Sequence, residues 1–235
     1  MDIYKIADLY IGIKNRSSFT KEYLKDYLSD KNDFDFSVEV TQDMIDYEKQ
    51  IAVEKVPEKY YELTAILRSI CKTILKDYNG FFLHCSSLEY DGKAFIFTAK
   101  SGTGKSTHAR LWREVFKDKV VMINDDKPIV RFIDGKFFIY GTPWNGKHSI
   151  SNNIKSEIKA IYYLSQAKEN KVYKCEPILA ISKLLSQTVL PDDKDSMNTL
   201  LSMLEKLVEV TPVFDLECNI SEEAVHTALN ALKEN

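Results

Sequence analysis

The feature that most constrains this chain is a loop, Ala99-Lys100-Ser101-Gly102-Thr103-Gly104-Lys105-Ser106-Thr107, which directly follows the apolar run Ala94-Phe95-Ile96-Phe97. A buried strand that empties into a glycine-bearing loop and then a helix lets consecutive backbone amides turn toward one anion. The helix reads from about Lys105 to Phe116, with Leu111, Trp112, Val115 and Phe116 on its apolar side. Glycines permit the turn, and the helix N-terminus contributes the positive end of its dipole. Lys105 can then reach the β and γ phosphates, and Ser106 can hold Mg²⁺. Ser101, Gly102, Thr103, Gly104, Lys105, Ser106 and Thr107 are therefore the expected nucleotide contacts. Ala99 stands where the general pattern has glycine, so the loop is a variant. A plain glycine turn ahead of a helix would leave Lys105 and its two following hydroxyls unexplained.

The chain has 235 residues, 44% of them hydrophobic, enough to fill one large α/β core with a small appendage. Its 35 acidic and 32 basic residues are spread along the chain, so no nucleic acid or acidic membrane surface is expected as a partner. Any phosphate binding must be local. The four cysteines, Cys71, Cys85, Cys175 and Cys218, form no C-x-x-C pair and read as free core thiols. The opening Met1-Asp2-Ile3-Tyr4-Lys5 lacks the basic start and apolar run of a signal peptide, and no segment approaches the roughly 18 apolar residues of a membrane span. A cytoplasmic protein is expected.

Residues 1 to about 50 read as strand, helix, strand, helix, with Phe34, Phe36, Val38 and Val40 marking a half-buried strand. Pro57 opens a helix whose Leu63, Ile66, Leu67, Ile70 and Ile74 form one stripe, ended by Asn79-Gly80. We expect a small N-terminal α+β segment, 1–56, packed on a catalytic domain, 57–235. Later come a strand at Ile158 to Leu164, helices near Pro177 and from Met197 to Leu207, the strand Val213 to Leu216, and a closing helix capped by Ser221. The fold class is α/β, a mixed β-sheet bearing the phosphate loop.

Two Asp-Gly pairs predict hairpins: Phe81–Tyr90 with Lys93–Thr98 about Asp91-Gly92, and Lys127–Ile133 with Lys136–Tyr140 about Asp134-Gly135. If Tyr90 pairs with Lys93, His84 falls opposite Ala99 at the mouth of the loop, where it could meet a phosphate or the acceptor, or merely bond between strands. If Ile133 pairs with Lys136, Asp126 is carried toward Pro143, and the Gly141-Thr142-Pro143-Trp144-Asn145-Gly146-Lys147 loop lies near Asp125 and Asp126. The two aspartates follow the buried strand Val120-Val121-Met122-Ile123, as acids do that bind Mg²⁺ beside a phosphate loop or take a proton from a nucleophile, against the alternative of a plain acidic turn. Neighbours on an extended chain point in opposite directions, so one aspartate would hold metal and the other would meet the acceptor hydroxyl. Lys147 would supply positive charge to the moving phosphoryl group, against the alternative of a plain surface lysine.

In these residues, from about 80 to 165, the chain resembles the catalytic domain of HPr kinase/phosphorylase and, more distantly, the nucleotide-binding part of phosphoenolpyruvate carboxykinase. The resemblance rests on His84, the loop at 101–106, Asp125 with Asp126, and Pro143 to Lys147, in that order. It implies an ATP-dependent kinase using Mg²⁺, with His84, Asp125 and Asp126 at active-site positions and Lys147 where the family carries an arginine. Thr107 stands where the family usually has glutamate. The implied partners are a nucleotide and a hydroxyl-bearing peptide, protein or small-molecule acceptor, with homo-oligomerisation left open. A nucleotide-binding regulatory protein, or a phosphorylase or phosphatase using the same site, are the alternatives.

Overall fold

At the amino end Ala7 and Asp8 both take positive φ, 53° and 60°, closing a tight hairpin between β1 (Asp2–Ile6) and β2 (Leu9–Lys14). The chain is described here from a computed structural model covering residues 1–52 and 55–233. The pattern predicts a helix after the first strand, but the chain forms a hairpin there: Ala-Asp carries neither glycine nor asparagine, so this turn has only a weak composition signal. Helix α1 (Ser18–Leu24) follows, its first turn capped by Ser17, and then β3 (Phe36–Glu39) runs parallel to β2 as the third strand of this small sheet. Val38 and Val40 are buried, whereas Phe34 lies outside the strand and is exposed. Helix α2 (Gln42–Ile51) completes the layer.

Helix α3 (Glu58–Asp77) starts after Pro57 and presents Tyr61, Ile66, Ile70 and Ile74 inward. That stripe packs in one cluster with Tyr4, Ile11, Ile13 and Val38 of the small sheet and with Phe82, Ile129, Tyr140 and Trp144 beyond it. The helix ends where Asn79 turns to φ 50°. Gly80 has no room for a side chain, because a Cβ there would lie 2.6 Å from Ile74 Cγ2 and 2.9 Å from the Val130 carbonyl oxygen.

The main sheet is mixed. It contains β4 (Gly80–Phe82), β5 (Cys85–Tyr90), β6 (Lys93–Thr98), β7 (Val120–Asn124), β8 (Ile129–Ile133), β9 (Lys136–Tyr140) and β10 (Lys155–Gln166), in the order β4-β8-β9-β10-β6-β5-β7. β11 (Lys171–Lys174) and β12 (Val213–Cys218) extend it from β10. Both Asp-Gly hairpins keep the expected register, Tyr90 with Lys93 and Ile133 with Lys136. The sheet curls because β10 belongs to two arms. Lys155 to Glu157 pair antiparallel with β9, whereas from Ile158 onward the strand pairs parallel with β6 and then β12. Residues 81–90 are therefore not the single strand expected: β4 pairs with β8 in one arm, β5 pairs with β6 in the other, and Leu83 and His84 cross between them.

Helices cover both faces. Along β6, Ala94 and Ile96 join the cluster holding Leu184, Leu200, Leu204 and Leu207, from α5 (Pro177–Leu185) and α6 (Lys194–Val210). Phe95 and Phe97 point the other way, into the cluster of Trp112, Val225 and Ala228 from α4 (Lys105–Phe116) and α7 (Glu222–Asn230). Burial on both faces explains why β6 reads as a continuous apolar run. Ser221 stands at the α7 N-cap position but makes no capping bond; its hydroxyl donates to Asn219 Oδ1 at 2.6 Å instead. All four cysteines are free, and among the described residues no helix is long and apolar enough to cross a membrane.

Because α3 ties the small sheet to the large one, Ile70→Ala should lower the unfolding free energy by about 2–5 kcal/mol in a urea titration. A loss below about 0.5 kcal/mol would show that this cluster does not hold the two sheets together.

Candidate functional site

The loop between β6 and α4 is shaped by two glycines, Gly102 at φ 79° and Gly104 at φ 120°, conformations that side-chain-bearing residues avoid. Ala99 is absent from the positive-φ positions and is fully buried with the α4 core, which explains why the loop tolerates alanine where the general pattern has glycine. Gly104 is the N-cap of α4 and offers no side chain to its first turn; the first helical bond runs from the His108 amide to the Gly104 carbonyl at 2.9 Å. The preceding amides of that turn have no intrahelical partner and carry the positive end of the dipole. Lys105 is buried, its Nζ donating to the Ala99 carbonyl at 3.1 Å. Burial holds its pKa below the ordinary lysine value, while Asp126 and Asp125 counteract that shift.

The two aspartates part company. Asp125 is buried, accepts a 2.6 Å bond from the Ser86 hydroxyl, and lines a cavity of about 250 Å³ together with Ser106, Arg110, Arg113 and His148. Asp126 pairs with Lys127 and lies 3.4 Å from His84 Nε2. Asn124 fixes this bend, its side-chain oxygen accepting from the Asp126 and Lys127 amides at 2.8 Å each. His84 is anchored through its backbone: its amide donates to the Gln187 carbonyl at 2.7 Å and its carbonyl accepts from the Thr98 hydroxyl at 2.9 Å. Burial, and then the charge of Lys105, keep the His84 pKa below the usual imidazole value.

The 141–147 loop lies against this bend. The Lys127 amide donates to the Trp144 carbonyl at 3.0 Å, and a Cβ on Gly146 would stand 3.0 Å from Asp126 Cβ. Trp144 is buried and donates to the Leu63 carbonyl of α3 at 3.1 Å, so it anchors the loop rather than facing the cleft. Lys147 sits on an exposed turn with no ion pair to either aspartate, so the structure does not bring it into the cluster. Its neighbour His148 lines the Ser106 and Asp125 cavity instead.

Several residues here escaped the sequence reading. Arg110 and Arg113 follow Ser106 at helical spacing and share its cavity, a signal that was legible once α4 was placed. Gln187 and His148 carried no local motif. Tyr23 of α1 has its hydroxyl pKa pushed up to about 12, by burial first and then by the Asp126 charge, which places the N-terminal layer near the acidic pair.

As to a metal, among the described residues no group of three or more His, Cys, Asp or Glu side chains is placed to hold one. The oxygen donors Ser106 and Asp125 do share a cavity, and such a donor set suits Mg²⁺, which takes few protein ligands and completes its shell with water and phosphate oxygens.

No protein-family model matches the chain, and no curated protein does. Among solved structures, the Hpr(Ser) kinase/phosphatase from Coxiella burnetii is similar at 11% identity and a TM-score of 0.35, over 65% of this chain and 97% of that one.

His108, beneath the loop, is buried, and burial lowers its pKa to about 4. The unfolded chain then takes up this proton at about pH 6.5, before the folded chain does, so the stabilisation is complete above that pH and is lost as the pH falls. Across that window the loss should be on the order of 3 kcal/mol. Urea titrations from about pH 4 to 7 should give a His108→Gln variant a pH slope shallower by up to about one proton. Parallel curves for the two proteins would contradict this burial.

Proposed function

We propose that the chain is an ATP-dependent phosphotransferase that moves the γ-phosphoryl group of ATP to a hydroxyl acceptor, a serine of a peptide or protein or a small-molecule alcohol. The observation that carries this reading is the meeting of three features at one end of the strands β5, β6 and β7: the uncapped start of α4 with Lys105, the Ser106 and Asp125 cavity, and the His84–Asp126 contact. Phosphoryl transfer asks a protein mainly for position and charge, because the transition state is loose and its charge is spread over the equatorial oxygens.

In this reading the amides of residues 101–106 and Lys105 Nζ hold the β and γ phosphates. Ser106 and Asp125 would hold Mg²⁺, which when bound offsets phosphate charge. Asp126 orients the acceptor hydroxyl and takes its proton on a carboxylate oxygen. His84, whose pKa burial and then Lys105 hold below the usual imidazole value, stands with Nε2 3.4 Å from Asp126 and limits the swing of that carboxylate. Lys127, paired with Asp126, adds charge on the acceptor side. The cation role expected of Lys147 passes to Arg110 and Arg113, which line the cavity.

The test is transfer of label from radiolabelled Mg-ATP to a serine-peptide library and a panel of small alcohols. Labelled product should form with the wild type and fall at least about a hundredfold with Lys105→Ala and with Asp126→Asn. Nucleotide binding should survive Asp126→Asn. Product formation that persists in Lys105→Ala would remove the loop from the reaction, and ATP binding with no transfer to any acceptor would favour a nucleotide-binding regulatory protein.

A further inference from the structure

A buried glutamine, Gln187, stands in the turn that follows α5, far in sequence from the phosphate loop and the acidic pair. Its backbone amide donates to the Leu184 carbonyl at 2.9 Å, and its carbonyl accepts from the His84 amide at 2.7 Å. Beside it the Thr188 hydroxyl donates to the Phe82 carbonyl. The crossing between β4 and β5 is thus fastened to the end of α5 at both Phe82 and His84. From the other side, the Leu83 amide donates to the Pro128 carbonyl at 3.2 Å and the Cys85 amide to the Asp126 carbonyl at 3.1 Å.

The side chain of Gln187 continues this fastening into the His84 ring, with which it forms a hydrogen bond. A buried side-chain amide is costly unless its nitrogen and its oxygen both find partners. Which of the two meets the ring follows from Ser186. The Ser186 hydroxyl spends its proton on the Lys183 carbonyl at 2.6 Å, so toward Gln187 it can only accept. Gln187 Nε2 is the donor of that bond, at 3.1 Å, and Oε1 is left for the ring. An amide oxygen takes a ring N–H, and because Nε2 faces Asp126 at 3.4 Å, the nitrogen turned to Gln187 is Nδ1.

We propose that Gln187 is the positioning residue of His84: the relay from the Lys183 carbonyl through Ser186 and Gln187 holds the proton of the neutral ring on Nδ1 and leaves the Nε2 lone pair toward Asp126. Burial, and then the charges of Lys105 and Lys127 set against that of Asp126, keep the ring pKa below its usual value, so the neutral ring is the prevailing form at about pH 8. The catalytic consequence rests on the reading that Asp126 takes the acceptor's proton. As the acceptor O–H bond breaks and an O–H bond forms on Asp126, the new carboxylic proton has the Nε2 lone pair to donate to. A ring protonated on Nε2 would instead donate to the carboxylate and compete with the acceptor hydroxyl for it. The α5 layer, through Gln187, is then part of the site.

Long-range nitrogen–proton correlation spectra of the full chain carrying ¹⁵N-histidine, recorded at about pH 8, read the tautomer directly, with His84 assigned by the signals lost in His84→Gln. The wild type should carry the proton on Nδ1. Gln187→Leu, which removes the acceptor, should move it to Nε2, and Gln187→Glu, which keeps an acceptor, should leave it on Nδ1. In the label-transfer assay Gln187→Leu should lower kcat at least about tenfold with KM for ATP unchanged, and Gln187→Glu should restore most of it. A wild-type ring protonated on Nε2 would overturn the proposal without any variant having to fold, and so would a leucine variant that keeps the wild-type tautomer or the wild-type kcat. No labelled product from a wild type whose proton sits on Nδ1 would instead overturn the phosphotransfer reading and leave the hold of Gln187 on His84 standing.

Discussion

Burial of β6 on both faces is the constraint from which the rest of the structure follows. Ala94 and Ile96 sit under α5 and α6, and Phe95 and Phe97 under α4 and α7, so the strand is locked against slippage in either direction. Its end at Thr98 is therefore a fixed point, and the chain must leave the sheet there through a loop with two left-handed glycines. Helix α4 begins where that loop delivers it, with Trp112 packed on Phe95 and Phe97 at ring distances of 4.8 and 5.6 Å. The open amides of the α4 first turn thus point from a rigid platform rather than from a mobile segment.

The remaining parts of the site reach the same strand ends by strand pairing. β5 lies antiparallel to β6, so Ser86 and His84, just before the strand, stand beside the end of β6, and β7 pairs with β5 and leads to Asp125 and Asp126. The β8–β9 hairpin returns the chain to the same place with the 141–147 loop, which Trp144 then fastens to α3. The charges interlock accordingly. Burial and then Lys105 depress the His84 pKa, Asp126 opposes that depression, and both aspartates act on Lys105. A change at any one of these groups is felt by the others, so single substitutions here will not be additive.

Much of this was legible in the sequence, for identifiable reasons. The loop and α4 were readable because glycines, lysine and hydroxyls at fixed offsets follow an apolar run, and the hairpins because Asp-Gly fixes a two-residue turn and hence a register. That register alone carried His84 to the mouth of the loop. What sequence could not show was where one apolar run serves two sheet arms: Phe81 to Tyr90 looks continuous, and only the pairing of β4 with β8 splits it at Leu83 and His84. The Ala7-Asp8 hairpin has no glycine or asparagine to mark it, and β11 is a short polar strand, Lys171 to Lys174, with little alternation. Lys147 and His148 are adjacent, so register arithmetic could bring their loop to the acidic pair but could not decide which side chain would turn inward.

The central claim, that the amides at the start of α4 hold a polyphosphate, is tested most directly by heteronuclear NMR of the backbone amides during titration with Mg-ATP. The account predicts that the amide signals of Gly102, Gly104, Lys105 and Ser106 move together and saturate, while those of α2 and α3 stay in place. Loop amides that remain unmoved at saturating nucleotide, or shifts confined to another face of the molecule, would contradict it.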